Sequence, residues 1–141
     1  MIALHLDDVS IRDRVLDIWV DGVPETKGSW RALPSGRMKR DNPREAGWAN
    51  AIGWAAKAKW LGRAPLTCSL LVEARFFLPR PIGKKNRRDI DKLLRSAFDA
   101  MQKIVYIDDE QIADVVTSRR VRPSMTGAQI RIYTTEPLTY G

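Results

Sequence analysis

RRDIDKLLRSAFDAMQKIVYIDDEQIADVV, residues 87–116, contains a predicted helix, a turn and the start of a strand, together with most of the closely spaced acids of the chain. On a helical wheel with Asp91 as reference, Leu94, Ala97, Phe98 and Met101, with Leu93 at the margin, form an apolar sector. Asp91, Arg95, Asp99 and Gln102 fall on the opposite side, where four-residue spacing predicts ion pairs of Arg95 with Asp91 and with Asp99. Asp89 precedes the helix and projects toward the same end. If the chain after Tyr106 returns beside this helix, Asp108 or Asp109 joins the group.

Upstream, Leu66, Cys68, Leu70, Val72, Ala74, Phe76 and Leu78 alternate with Thr67, Ser69, Glu73 and Arg75. This predicts a long strand between Pro65 and Pro79 with one apolar face, and puts Cys68 on it as a small buried hydrophobe. A basic loop, PRPIGKKNRR, then leads into Asp89. Before the strand, Asp41 or Asn42 with Pro43 marks the start of a helix that runs to about Trp60 and stops at Leu61-Gly62. Trp48, Ile52, Ala55 and Ala56 share one of its faces. Its tryptophans at helical spacing read as core or dimer contacts rather than as base-stacking surfaces.

Further out, RVLDIWV (Arg14 to Val20) alternates as a strand, with 1–13 as a loosely held lead-in. Asp21-Gly22 turns the chain into a long basic loop, with a short hairpin expected around Pro34-Ser35-Gly36. Downstream, Gln111 to Val121 and Ala128 to Thr135 read as strands. The resulting expectation is one α/β (α+β) domain over 1–141, with a mixed sheet of about four strands and two main helices.

Composition narrows the function. The chain has 141 residues and a formal net charge of +7, with 24 Lys+Arg against 17 Asp+Glu, which points to a polyanionic partner. No long Lys-rich amphipathic helix supports a membrane surface as the rival partner, and no apolar run is long enough to span a bilayer. One cysteine and one histidine exclude an internal disulfide, a Cys-based zinc site and a His-rich cluster. The acidic start does not read as a secretory signal, and the expected compartment is the cytoplasm. The basic loops offer phosphate contacts that do not depend on base sequence.

Within such a cationic chain, converging carboxylates are unfavourable unless protonated or bound to a cation. Hard oxygen ligands suit Mg2+ or Mn2+, which activate water against a phosphodiester. The alternative gives the first acids to the helix dipole and Asp108-Asp109 to a turn. Spacing alone favours that alternative.

The pattern as a whole resembles a known family. RRDIDKLLRSAFDAM followed by VYIDDEQIADVV is similar to the signature of the RusA-type Holliday junction resolvases: D-x-D-N, a basic residue four positions after the second acid, F-D-A-L, then D-D-x-Q before a strand. Gly22 to Arg31, G-x-P-x-x-K-G-S-x-R, agrees more loosely with the family's basic N-terminal loop. The resemblance implies a metal-dependent endonuclease that acts as a homodimer on four-way DNA junctions. It implies Asp89, Asp91 and Asp109 as Mg2+ (or Mn2+) ligands, with Asp108 beside them. The family's active-site lysine falls on Arg95, which keeps the charge but cannot lose a proton. Its asparagine falls on Lys92. Lys27, Arg31, Arg37, Lys84, Lys85, Arg87, Arg88 and Lys92 are then expected to grip DNA. Two readings stand beside this one: a non-catalytic DNA-binding module, and a general structure-selective nuclease.

Overall fold

The computed structural model describes residues 11–28, 30–40, 42–83 and 88–136. The chain orders itself as β1 (Ile11–Asp21), β2 (Trp30–Ala32), β3 (Met38–Arg40), α1 (Glu45–Trp60), β4 (Leu70–Leu78), α2 (Ile90–Met101), a single 3-10 turn (Asp109–Gln111), β5 (Ile112–Val121) and β6 (Gly127–Thr135). A mixed sheet of order β1-β6-β4-β5 carries both helices, and β2 with β3 forms the small hairpin expected at Pro34-Ser35-Gly36. The fold is α+β, as anticipated.

The sheet's pairings explain the placement of α2. β6 pairs antiparallel with both β1 and β4, whereas β4 and β5 are parallel. Parallel neighbours need a crossover, and α2 supplies it. Alternation then sorts the faces. Leu16, Ile18 and Val20 of β1, Val72, Ala74 and Phe76 of β4, and Ala128, Ile130 and Ile132 of β6 are buried against the helices. From α2, Leu93, Ala97 and Met101, each four residues apart, point into the same core. Burying a side chain such as Leu93 contributes about 2 kcal/mol. Trp48, Ile52, Ala56 and Trp60 of α1 complete the core, while Trp54 lies 72% exposed beneath Lys57. α1 ends where expected, with Leu61 in the left-handed region.

Several boundaries differ from expectation. β1 begins at Ile11, so the lead-in is shorter than 13 residues, and residues 1–10 lie outside the described ones. α1 starts at Glu45, with Pro43 in the preceding turn. β4 begins at Leu70 rather than near Leu66, and both its faces are largely buried. The reason is local: Leu66 makes an isolated bridge to Tyr106, and the Gln111 amide donates to the carbonyls of Leu66 and Cys68 at 2.8 and 3.1 Å. A side chain replaces the ladder there. Cys68 is consequently exposed, not buried as its register predicts.

Candidate active site

α2 begins where β4 has delivered the chain to the carboxyl end of a parallel pair, the usual place for a site in such sheets. Asp89 is the N-cap residue and Asp91 lies in the first turn, both exposed at the positive end of the helix dipole. Lys92 Nζ stands 3.9 Å from Asp89 Oδ2. Arg95, one turn on, is exposed on the polar face with Asp91. The predicted pairs of Arg95 with Asp91 and Asp99 do not form among the described residues. Asp99 is instead held by Lys27, with Nζ to Oδ2 at 2.9 Å.

This end of α2 is fixed by a strap that periodicity does not reveal. Residues 23–28 run beside the helix, and the backbone N–H of Lys27 donates to the Lys92 carbonyl at 3.0 Å. Glu25 is buried, and its carboxylate accepts from Arg88 Nη2 and from Asn42 Nδ2, each at 3.1 Å. The Asn42 amide also donates to the Thr26 carbonyl at 3.0 Å. The guanidinium of Arg119, near the end of β5, donates to the Arg88 carbonyl. From the other side, Ser96 Oγ donates to the buried Glu45 of α1 at 3.0 Å. Arg88, expected to grip DNA, thus points inward, its side chain 16% exposed. A buried carboxylate with room for a guanidinium outcompetes solvent for it.

The far end of α2 is built differently. The buried Tyr106 hydroxyl donates to the Phe98 carbonyl at 2.6 Å, and burial, reinforced by the charges of Asp109 and Asp99, holds its pKa above the ordinary phenol range. Asp108 caps the 3-10 turn by accepting from Glu110 N at 2.9 Å, while the Gln111 side chain accepts from the N–H groups of Ile107 and Asp108. Asp108 is therefore a turn residue. Asp109 has a carboxyl held above its usual range, first by burial and then by its bond to Asp108 and the charges of Asp108, Asp99 and Glu110.

Asp109 faces Asp99 and Asp108, and Asp99 lies eight residues, or about 12 Å of helical rise, beyond Asp91. Among the described residues no three His, Cys, Asp or Glu side chains stand close enough to hold one metal ion. Asp89 and Asp91 are two exposed acids at the start of α2. Of the predicted DNA contacts, Lys92 and the Lys27 head are partly exposed, and Arg37 is exposed at the hairpin turn. Lys84, Lys85 and Arg87, with the Arg31 side chain, lie outside the described residues.

Exposed acids at a helix start, flanked by Lys92 and Arg95, are presented by a parallel crossover in a strongly basic α+β domain. Residues 21–133 match the family described as endodeoxyribonuclease RusA. The chain belongs to that family. A relative from Aquifex aeolicus (strain VF5), described as crossover junction endodeoxyribonuclease RusA, is 25% identical over 118 residues, covering 83% of this chain and 90% of the relative. Glu25, Asn42 and Gln111 were not singled out as functional by sequence reasoning. Glu25 gave only the signal of an acid inside an otherwise basic loop.

Proposed function

We propose that this endonuclease nicks four-way (Holliday) junctions symmetrically, as a homodimer using Mg2+ or Mn2+. The observation that supports it best is the open Asp89–Asp91 pair at the start of α2, in a chain of the RusA family. The two carboxylates sit beside Lys92 and Arg95, so a phosphodiester entering there meets fixed positive charge next to acid. Arg95, permanently charged, neutralises the phosphate as negative charge grows in the transition state. Lys27, Arg37 and Lys92, with Lys84, Lys85 and Arg87 of the preceding loop, hold the strands through their phosphates, and affinity falls steeply with salt.

Asp89 and Asp91 are the residues open to a divalent ion, which supplies charge to polarise water. Among the described residues no third carboxylate stands close enough to complete a ligand set with them. The family pattern implies Asp109 as a further ligand, and its carboxyl is held above the usual range by burial and by the neighbouring acids Asp108 and Asp99. A two-fold homodimer matches a two-fold junction, since resolution needs two opposed nicks. No helix among the described residues is long and apolar enough to cross a membrane.

The deciding experiment is cleavage of a labelled four-way junction with Mg2+, comparing the native chain with Asp91→Asn. The native chain nicks, whereas the variant binds the junction and does not. No nicking by the native chain points to a non-catalytic DNA-binding module. Equal cutting of junction, flap, duplex and single-stranded substrates points to a general nuclease.

A further inference from the structure

The sheet has a second face, turned away from both helices, on which Asp17, Trp19, Glu73, Arg75, Phe77, Gln129 and Arg131 alternate with the core residues. A cavity of about 570 Å³ opens there, and Trp19, Phe77, Arg75, Arg120, Arg122 and Met125 contribute to its lining. Nothing in the α2 site uses it.

Its central ring is held fast. Trp19 is 39% exposed, yet its indole Nε1 donates to Asp21 Oδ1 at 2.8 Å and its ring lies 5.9 Å from that of Phe77. Gly127 makes room for it: a Cβ there would stand 2.7 Å from the Trp19 ring and 2.3 Å from the Val20 carbonyl oxygen. A large aromatic surface is thus kept half-open to solvent in one orientation.

The charge around it is one-sided. The acids nearest the ring are engaged: Arg131 donates to both Asp17 and Glu73 at 3.3 Å, and Asp21 accepts from Trp19. Arg75 approaches Glu73 only at 4.0 Å. The guanidinium of Arg122 lies 4.3 Å over the Phe77 ring, and exposed Arg120 bonds, among the described residues, only to the carbonyl of Arg119. These cations surround a flat apolar surface. That combination fits a polyanion carrying flat apolar groups, namely a nucleic-acid strand with unpaired bases. A stacked duplex hides the base faces this ring would contact. A second copy docked over this face would have to bury Arg120 and Arg122 where the nearest acids, Asp17, Glu73 and Asp21, are already engaged.

We infer that this groove binds a single-stranded segment of DNA, with phosphates at Arg120 and Arg122 and an unpaired base against Trp19. The inference takes its biological sense from the junction-endonuclease reading, since opening a four-way junction exposes unpaired nucleotides, but its binding test does not need nicking. Anisotropy of fluorescein-labelled oligothymidylate, titrated at several salt concentrations, provides that test. The double variant Arg120→Ala/Arg122→Ala should bind at least about tenfold more weakly, with the slope of log K against log salt reduced by about 1.4, two single-strand phosphate contacts. Trp19→Leu should weaken binding by about tenfold with the salt slope unchanged.

If both variants melt like the native chain and bind the strand equally well, the inference is wrong. It is also wrong if sedimentation shows that the double variant has lost a native dimer, because the face then belongs to a second copy. Should Trp19→Leu itself melt early, the exposed arginine pair decides alone. Junction nicking, run in parallel, separates the two claims. A native chain that binds the strand through Arg120 and Arg122 without nicking defeats the endonuclease reading only, whereas nicking with unchanged strand binding in the variants defeats this one only.

Discussion

The two ends of α2 carry the same kind of residue in opposite circumstances. At the N-terminal end, Asp89 and Asp91 are exposed, favoured by the helix dipole and neighboured by Lys92 and Arg95. At the C-terminal end, Asp99 is paired with Lys27, Asp108 is occupied as a cap, and Asp109 is crowded by other acids. Spacing along the chain treats all five alike. Surroundings separate the pair free to meet a ligand from the three that shape or strain the turn. The beginning of α2 is open because everything that fixes it, from Glu25 to Arg119, holds the backbone and Arg88 rather than the two carboxylates.

Substitutions at the two ends should therefore fail in different ways. The largest effect is expected at Asp91→Asn, where nicking drops at least ~100-fold, comparable to losing a preorganised transition-state group, while urea unfolding stays native. An equal loss of stability would place Asp91 with the structural acids. Next comes Glu25→Ala, which leaves the inward-pointing Arg88 guanidinium without its carboxylate and should cost about 3 kcal/mol in urea unfolding. A near-native midpoint would mean that Arg88 swings out to solvent and that the strap does not hold this end.

Tyr106→Phe should cost about 1 kcal/mol by removing one of the two donors to the Phe98 carbonyl, which keeps the Gln102 N–H. Its pH dependence has a definite sign. The folded phenol is held above its ordinary range, so at alkaline pH the unfolded chain loses a proton that the folded chain keeps. Native stability should fall as pH rises past about 10, and the Phe variant should fall less steeply. The smallest effect is expected at Asp108→Ala, at most about 1 kcal/mol for a lost cap, read from the thermal midpoint. Junction nicking by that variant, measured below its melting range, should stay near native.

Periodicity carried much of the fold. The alternation of β1 and β6, the wheel of α2, the hairpin at Pro34-Ser35-Gly36 and the stop at Leu61-Gly62 all follow from local rules that tertiary contacts here reinforce. Where a tertiary partner took over, the local pattern misled. Residues 66–69 alternate like a strand, but the Gln111 side chain supplies the hydrogen bonds a neighbouring strand would have made, and Cys68 turns to solvent. For the site, a helical wheel gives the angular position of Asp91 and Asp99 and is silent on what each meets in the folded chain, where Asp99 pairs with Lys27. The inward turn of Arg88 depends on a carboxylate 63 residues earlier. No local window contains both.

The sheet order has a consequence for synthesis. Among the described strands β6 is the latest in the chain, yet it is the hydrogen-bonded neighbour of β1, the earliest. Until Gly127–Thr135 leaves the ribosome, the edge of β1 is an unpaired row of amides and carbonyls, and β4 lacks one of its two partners. The nascent chain can form its helices early, but completing the four-stranded sheet beneath them waits for β6. Translation arrest shortly before residue 127 should yield a protease-sensitive, aggregation-prone chain, in sharp contrast to the released protein.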